Sequence, residues 1–414
     1  MKIIIIGNGV AGNSAAETVR AVNSQAEITL VSEEPYPEYS ACVLCDYIAG
    51  ELPRERVFLK KKKDYEKMGI DALLLGQRVE AIDPLNKRVV IEGKNYSYDK
   101  LVLATGSEPL VPPIPGLKKK GIFPLKTLSD AMAISRHKGK KAVIIGSGPI
   151  GIEATTALKK KGYEVYLIEL LEWVLPRLLD KETSRMASEV LSRNHVEVIL
   201  GERVNEIYGK RKVEGVLTDR RRIACDTVIL SAGVKARVDL AKQCGIGLGP
   251  FGGIKVNQWM ETDHPGIYAC GDCAEAELPG VGETVLSQLW VTARQQGEIT
   301  GLNTGGRVRE YSLPMNIISL KVFDTYVASA SHPKYYTKKK YEKIEKRFED
   351  VYCWMALEDG VLKSIQSVGK LDEMGIFASF IKKGVKIDRI KELAGLGQGL
   401  SLFPLYEKIQ YYLS

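Results

Sequence analysis

The sequence predicts an α/β fold: two parallel-sheet units of the same kind, with a smaller α+β domain behind them. Three observations predict it. An apolar strand runs into a glycine-rich turn at residue 7. The same arrangement recurs at residue 146. From about residue 309 the pattern changes to strands joined by short turns.

Residues 3–6 are four consecutive isoleucines, as expected of a strand buried on both faces. Gly7-Asn8-Gly9-Val10-Ala11-Gly12 follows, and then the helical stretch "NSAAETVRAVN". The next strand, "EITLVSEE", carries Glu33 near its end, 21 residues past Gly12. This is a β-α-β unit with a GxGxxG turn and an acid at the distance such units use. Gly7 permits the tight turn, Gly9 lets the backbone approach a pyrophosphate, and Gly12 allows helix to pack closely on strand. The helix start offers unpaired N–H groups to phosphate oxygens. Glu33 is placed to accept hydrogen bonds from ribose hydroxyls.

The second copy begins with "KAVII" and turns at Gly146-Ser147-Gly148-Pro149-Ile150-Gly151. A helix and a strand follow, ending at Glu169, 18 residues beyond Gly151. One GxGxxG is weak evidence, but two in the same strand–turn–helix setting, each with its acid, predict two Rossmann-like dinucleotide sites. Two sites imply two dinucleotides, FAD in one and NAD(H) in the other. Glu169 would repel a 2′-phosphate, and no arginine follows it directly in "IELLEW", so NAD is favoured over NADP.

The 414 residues are enough for two or three domains, and their apolar and charged fractions are ordinary for a globular chain. The apolar run at the start is too short for a secretory signal, and no run reaches the length of a membrane span, so a cytoplasmic protein is expected. Net charge is +8, with lysine runs at 60–63, 118–120, 159–161 and 338–340. These read as solvated faces or as a docking surface for an acidic electron carrier. No nucleic-acid module accompanies them. Seven cysteines without a secretory signal argue against a disulfide framework, and the four histidines are too scattered for a metal site.

Further segments carry a resemblance. "LVLATGSEP" (101–109), "DTVILSAGVKARVDLAKQCGIGL" (226–248) and "GIYACGDCAEA" (266–276) occur in the order found in the pyridine nucleotide–disulfide oxidoreductase superfamily. The chain resembles that family over nearly its whole length. The resemblance implies an interrupted FAD-binding domain, 1–109 plus 238–308, with an NAD-binding domain, 110–237, inserted between its halves. A carboxyl-terminal interface domain, 309–414, completes the chain. It places Ala104, Thr105, Gly106, Gly271 and Asp272 against the flavin, Asp272 at its ribityl and pyrophosphate region. Glu153 matches a family glutamate near the stacked nicotinamide and flavin rings. Lys126, in "FPLKTLSDA", reads as a surface residue.

In the last domain, strands on either side of an Asp-Gly turn precede a helix. This order is similar to NADH-dependent rubredoxin and nitrite reductase flavin modules, and to flavin subunits of iron–sulfur oxidoreductase complexes. His332 has none of the context that the glutathione-reductase branch requires. The resemblance also suggests a homodimer or hetero-oligomer formed through this domain.

The segment "YSACVLCDY" (39–47) leaves three readings open. Cys42 falls where coenzyme A disulfide reductases and NADH oxidases carry a single redox cysteine, so it is a candidate redox thiol, with or without Cys45 as its resolving partner. Both cysteines could instead pack as small apolar residues. Both could also join Cys270 and Cys273 in a four-cysteine metal site. Val43 stands where the thiol enzymes often have glycine, and the third domain is short. The expected function is therefore an FAD-dependent NADH:acceptor oxidoreductase delivering electrons to a carrier protein or an iron–sulfur subunit. The alternatives are a thiol enzyme acting through Cys42 and an NADH-sensing flavoprotein with a regulatory binding role.

Overall fold

The computed structural model describes residues 1–277, 283–312, 316–331, 341–348, 351–369 and 374–386. His332 and the lysine run 338–340 lie outside these residues. The chain forms two compact units, each assembled from separate stretches. The first comprises Met1–Gly146, Ala157–Glu164 and Val204–Pro314; the second comprises Ser147–Thr156, Val165–Arg203 and Met315–Ser414.

The first unit is built on a five-stranded parallel sheet. Its order is Ile267–Ala269, Lys100–Leu103, Lys2–Ile6, Glu27–Ser32, Ala72–Leu75. The four isoleucines occupy the central strand and none is more than 6% exposed, which explains the lack of polar alternation. Helix Val10–Val22 follows this strand and packs on helix Trp290–Gly305. The second helix carries glycine at every fourth position of its inner stripe. A Cβ at Gly297 would lie 2.3 Å from the Ala11 carbonyl oxygen, and one at Gly301 would lie 2.5 Å from that of Ala15. A Cβ at Gly305 would meet the Val22 side chain at 2.4 Å. Only glycine lets the two backbones come this close.

Strands Ile122–Pro124, Thr227–Leu230 and Lys141–Ile145 also pair in parallel within the first unit. Strand Ser107–Pro109 pairs antiparallel with Val234–Ala236, so the two segments matching the family's linking motifs run side by side.

In the second unit, residues 166–169 pair in parallel with strand Glu197–Leu200. Its largest element is a five-stranded antiparallel sheet, in the order Asn316–Val322, Thr325–Ser331, Val361–Val368, Val351–Glu358, Glu342–Phe348. Asp359 and Gly360 join two of these strands with φ of 50° and 75°, the left-handed pair that the Asp-Gly signal predicts. Period-two alternation sorts the side chains between the faces. Leu357, Leu362 and Ile365 pack with Phe377 and Phe380 of helix Met374–Lys383. Tyr352, Trp354 and Ala356 pack with Met186 of helix Lys181–Arg193. Among the described residues, no helix is long and apolar enough to cross a membrane.

Candidate functional site

The first glycine turn has the form its residues require. Gly7 adopts φ 121°, and a Cβ there would sit 2.0 Å from the Ala104 carbonyl oxygen. A Cβ at Gly12 would sit 1.9 Å from the Gly7 carbonyl oxygen. Gly9 differs: nothing lies within 4 Å of its Cβ position. It caps helix Val10–Val22, which has no side-chain cap and no acid in its first turn. The open glycine and the unneutralised helix start leave N–H groups for an anionic ligand, as a pyrophosphate requires. Val10 is half-buried and Ala11 is buried.

Asn8, between the first two glycines, is a residue that the motif does not specify. Its Nδ2 donates to the Tyr36 carbonyl (3.0 Å), and its Oδ1 accepts from the Tyr65 hydroxyl (2.9 Å). Tyr65 in turn accepts from the Glu38 N–H at 2.8 Å. Tyr39 donates to both Glu34 carboxylate oxygens, at 3.1 and 2.9 Å, and accepts from the Leu128 N–H. These bonds tie the segment leading to Cys42 to the glycine turn. Glu33, more than half exposed, has Arg237 Nη1 3.4 Å from one carboxylate oxygen.

Around residues 104–107 and 271–272 the first unit gathers a polar cluster. Thr105 Oγ1 donates to the Arg237 carbonyl at 2.7 Å, and Gly106 accepts from the Arg237 N–H at 2.9 Å. Gly106 has φ 71° and open space at its Cβ position. Gly271 has φ 80° and donates its N–H to Gln296 Oε1 at 2.8 Å. A Cβ on Gly271 would crowd Ala11 at 2.8 Å, so the two family motifs meet here. Asp272 Oδ2 accepts from Ser107 Oγ at 2.7 Å and from Lys126 Nζ at 2.9 Å. Lys126 is therefore not the surface residue its local sequence suggests. Its side chain is only 26% exposed and ion-pairs with the motif aspartate 146 residues away. No local pattern could have revealed it.

The second glycine turn repeats the design. Gly146 has φ 102°, and a Cβ there would meet the Ser231 carbonyl oxygen at 2.5 Å. Gly148, like Gly9, has open space above it. Pro149 begins helix Pro149–Lys160, whose first turn also lacks an acid. Ile150 and Glu153 are half-buried on this helix and Gly151 is buried. Glu169, 8% exposed, stands at the end of strand Glu164–Glu169. Its Oε2 accepts from both the N–H and the hydroxyl of Ser147, at 2.8 and 2.7 Å, and its Oε1 accepts from the Leu171 N–H at 3.0 Å.

The cysteines fall into clear environments. Cys42 is exposed, in the 3₁₀ turn Ala41–Val43, and Cys45 is buried in the first turn of helix Leu44–Ala49. Cys270 and Cys273 are fully enclosed, and burial pushes both thiols well above the usual range. Cys273 Sγ contacts the carbonyls of Leu103 and Cys270, which places it under the strand ends as packing. Cys225 and Cys353 are buried and Cys244 is half-buried.

Comparison with known proteins gives the family. The model of the pyridine nucleotide-disulphide oxidoreductases matches residues 1–297. The chain belongs to that family. This oxidoreductase is 34% identical to an NADH oxidase of Methanocaldococcus jannaschii over 334 residues, 78% of this chain and 74% of the other. It is 29% identical to the NAD(P)H nitrite reductase of Bacillus subtilis over 95% of its own length, but spans only about half (48%) of that protein. A solved NAD-dependent persulfide reductase from A. fulgidus superposes with a TM-score of 0.88 at 27% identity, covering 97% of this chain and 80% of the other. The chain is accordingly an NAD(P)H-dependent flavoprotein oxidoreductase whose cofactors are FAD and NAD(H). Its open glycine turns and acid-free helix starts fit such dinucleotides.

Proposed function

We propose that this oxidoreductase uses NADH to reduce a small sulfur-containing acceptor, an organic disulfide or persulfide, through the thiol of Cys42. The observation that carries this reading is the exposure of Cys42. It is the one cysteine of seven that is exposed; the others are buried or half-buried. The persulfide reductase and NADH oxidase likenesses support it.

In this reading the first glycine turn, with Gly7, Gly9, Val10, Ala11 and Gly12, holds the FAD pyrophosphate, and Glu33 accepts from its ribose. Ala104, Thr105, Gly106, Gly271 and Asp272 line the flavin side, with Lys126 holding the Asp272 carboxylate in place. Gly146, Gly148, Pro149, Ile150 and Gly151 cradle NADH, Glu169 takes its ribose, and Glu153 stands near the stacked rings. The domain division that goes with these roles is 1–109 with 238–308 for FAD, 110–237 for NAD, and 309–414 for an interface. FAD, when bound, accepts the hydride of NADH and hands on an electron pair. The protein contributes position: backbone N–H groups fix phosphates, and the loop bonded through Asn8, Tyr36 and Tyr65 holds Cys42 in one place. The Cys42 thiolate attacks one sulfur of the acceptor, forming a mixed disulfide and expelling a thiol.

A second reading keeps the flavin and drops the thiol: electrons pass to a carrier protein or an iron–sulfur subunit. The nitrite reductase likeness and the +8 net charge favour it. Anaerobic titration of the oxidised holoprotein with dithionite separates the two. About four electrons per FAD, falling to about two in Cys42→Ser, supports the thiol enzyme. Two electrons per FAD in both forms would instead leave electron transfer to a partner as the function.

A further inference from the structure

Arg237 follows strand Val234–Ala236, and its main chain is fixed on both sides. Its N–H donates to the Gly106 carbonyl at 2.9 Å, and its carbonyl accepts from Thr105 Oγ1 at 2.7 Å. The side chain therefore leaves from a set point, and it runs in among carboxylates from distant parts of the chain. Nη1 donates to Glu33 Oε2 at 3.4 Å, and Nε stands 3.8 Å from Glu108 Oε2. Glu108, on the strand paired with Val234–Ala236, is also held by Lys235 Nζ at 2.8 Å. The charge of Arg237 reaches Glu34 as well: burial pushes that carboxyl up, and the Tyr39 bond and Arg237 pull against the rise. One guanidinium thus faces three acids. Both of its approaches are long for a charge-assisted hydrogen bond, which closes to about 2.7–2.9 Å. Its Nε is buried and has no hydrogen-bond partner among the described residues. The guanidinium steers Glu33 without saturating it, and more than half of the Glu33 side chain stays open to solvent.

We propose that Arg237 positions Glu33 for the ribose of the flavin nucleotide. This rests on the reading of Glu33 as the ribose acid and adds what holds that acid. A carboxylate has about four acceptor positions, so one long contact from Nη1 leaves most of them for ribose hydroxyls. Without the guanidinium, Glu33 and Glu108 would repel each other and the pyrophosphate of the dinucleotide, and Glu33 would turn out into solvent. With it, the negative charge beside the first glycine turn is offset, and Glu33 is held on the side from which Thr105 and Gly106 approach. The backbone bonds of Arg237 to those two residues make it the link between the ribose acid and the motif at residues 104–107. Arg237 is a positioning residue in this scheme, since it acts on the nucleotide through Glu33.

The test is a double-mutant cycle on FAD affinity. The full chain is stripped of FAD and titrated with it, and Kd is read from flavin fluorescence for wild type, Arg237→Gln, Glu33→Gln and the double variant. Arg237→Gln should raise Kd about tenfold, the worth of one hydrogen bond to a charged group. In the Glu33→Gln background the same change should add less than about twofold, because the acid it acts through is gone. Arg237→Lys, which keeps the charge and loses the fork, should weaken FAD only about threefold, and again only where Glu33 is present. An Arg237→Gln protein that binds FAD like the wild type, while Glu33→Gln binds it more weakly, overturns the inference and leaves the ribose reading of Glu33 intact. An equal loss with and without Glu33 also overturns it, since Arg237 would then serve only to hold the chain. Unchanged affinity in Glu33→Gln removes the ribose reading and the inference together. Where the glutamine variant folds poorly, Arg237→Lys in the same two backgrounds decides the matter.

Discussion

At Glu169 the carboxylate already accepts three hydrogen bonds, two from Ser147 and one from the Leu171 N–H. An ionised carboxylate offers about four acceptor positions, so roughly one remains open. In the proposed reading Ser147 thereby sets the angle at which Glu169 would meet the coenzyme, and the exposed Leu170 and Leu171 beside it offer no partner to a 2′-phosphate. Ser147→Ala should raise KM for NADH by up to about tenfold, the worth of one such bond, with kcat little changed. Steady-state kinetics with both coenzymes reads this directly. Glu169→Ala should narrow the NADH-over-NADPH preference further; a wild-type protein that prefers NADPH would defeat this account of selectivity. Thiol reactivity is a second prediction at this scale. With iodoacetamide near pH 8, Cys42 should label first. Cys225, pushed up to about 12 by burial, should resist until the protein unfolds, as should Cys270 and Cys273. Time-resolved mass spectrometry gives the order. The glycine turns and the acids that follow them were legible in the sequence because the backbone conformation they need is local. Ser147 was visible only as the variable position of a motif, and its hydroxyl acquires a role only when strand Glu164–Glu169 brings an acid beside it.

Two helices show what packing adds to local signals. Helix Trp290–Gly305 meets helix Val10–Val22 along Gly297, Gly301 and Gly305. At Gly301, a side chain would have to displace the Ala15 carbonyl and the Thr18 side chain, which stand 2.5 and 2.6 Å from the Cβ position. Gly301→Leu should cost about 3 kcal/mol or more, because backbone must move to make room. Thermal unfolding should fall by several degrees, with partial loss of FAD, while Gly306→Asn, at the left-handed helix end, should cost little. In the second unit Asp180 caps helix Lys181–Arg193 by accepting from the Thr183 N–H at 2.9 Å, and it pairs with Lys343 at 3.0 Å. Gln366 Oε1 accepts from both the Asp180 N–H and Trp354 Nε1, joining the helix start to the antiparallel sheet. Burial pushes the Asp180 carboxyl up, but the Thr183 and Lys343 bonds pull it further down, below the ordinary carboxylate range. Its folded pKa lies under its unfolded one. The stabilisation is therefore present at neutral pH and is lost only as pH falls through the folded value. Asp180→Ala should cost about 1–2 kcal/mol at pH 7 and much less near pH 2, as denaturant titrations at the two pH values would reveal. The Asp-Gly hairpin was legible because its turn chemistry is local. The glycine stripe was not, because its partner helix lies almost 300 residues earlier in the chain.

For the whole molecule, the net charge of +8 is a statement about association and not about fold. If a charged carrier protein is the acceptor, kcat/KM with an acidic carrier should fall several-fold between 50 and 300 mM salt, in keeping with screening over about 10 Å or less. The rate with a small neutral disulfide should hardly change. Equal salt dependence for both would remove the argument from charge. The sequence by itself determined the α/β class, both glycine turns, their acids and the order of the family motifs, since each depends on backbone conformation over a few residues or on period-two and all-apolar patterns. Only the tertiary structure decided which side chains gather around these turns and motifs. Lys126 reaches Asp272, Gln296 holds the Gly271 N–H, and Tyr65 connects Asn8 to the Cys42 loop through contacts spanning 146, 25 and 57 residues of chain. The exposure of Cys42 and the burial of Cys45 were likewise settled by packing around one short helix, because spacing sets which residues share a turn and only the surrounding fold sets which of them meets solvent.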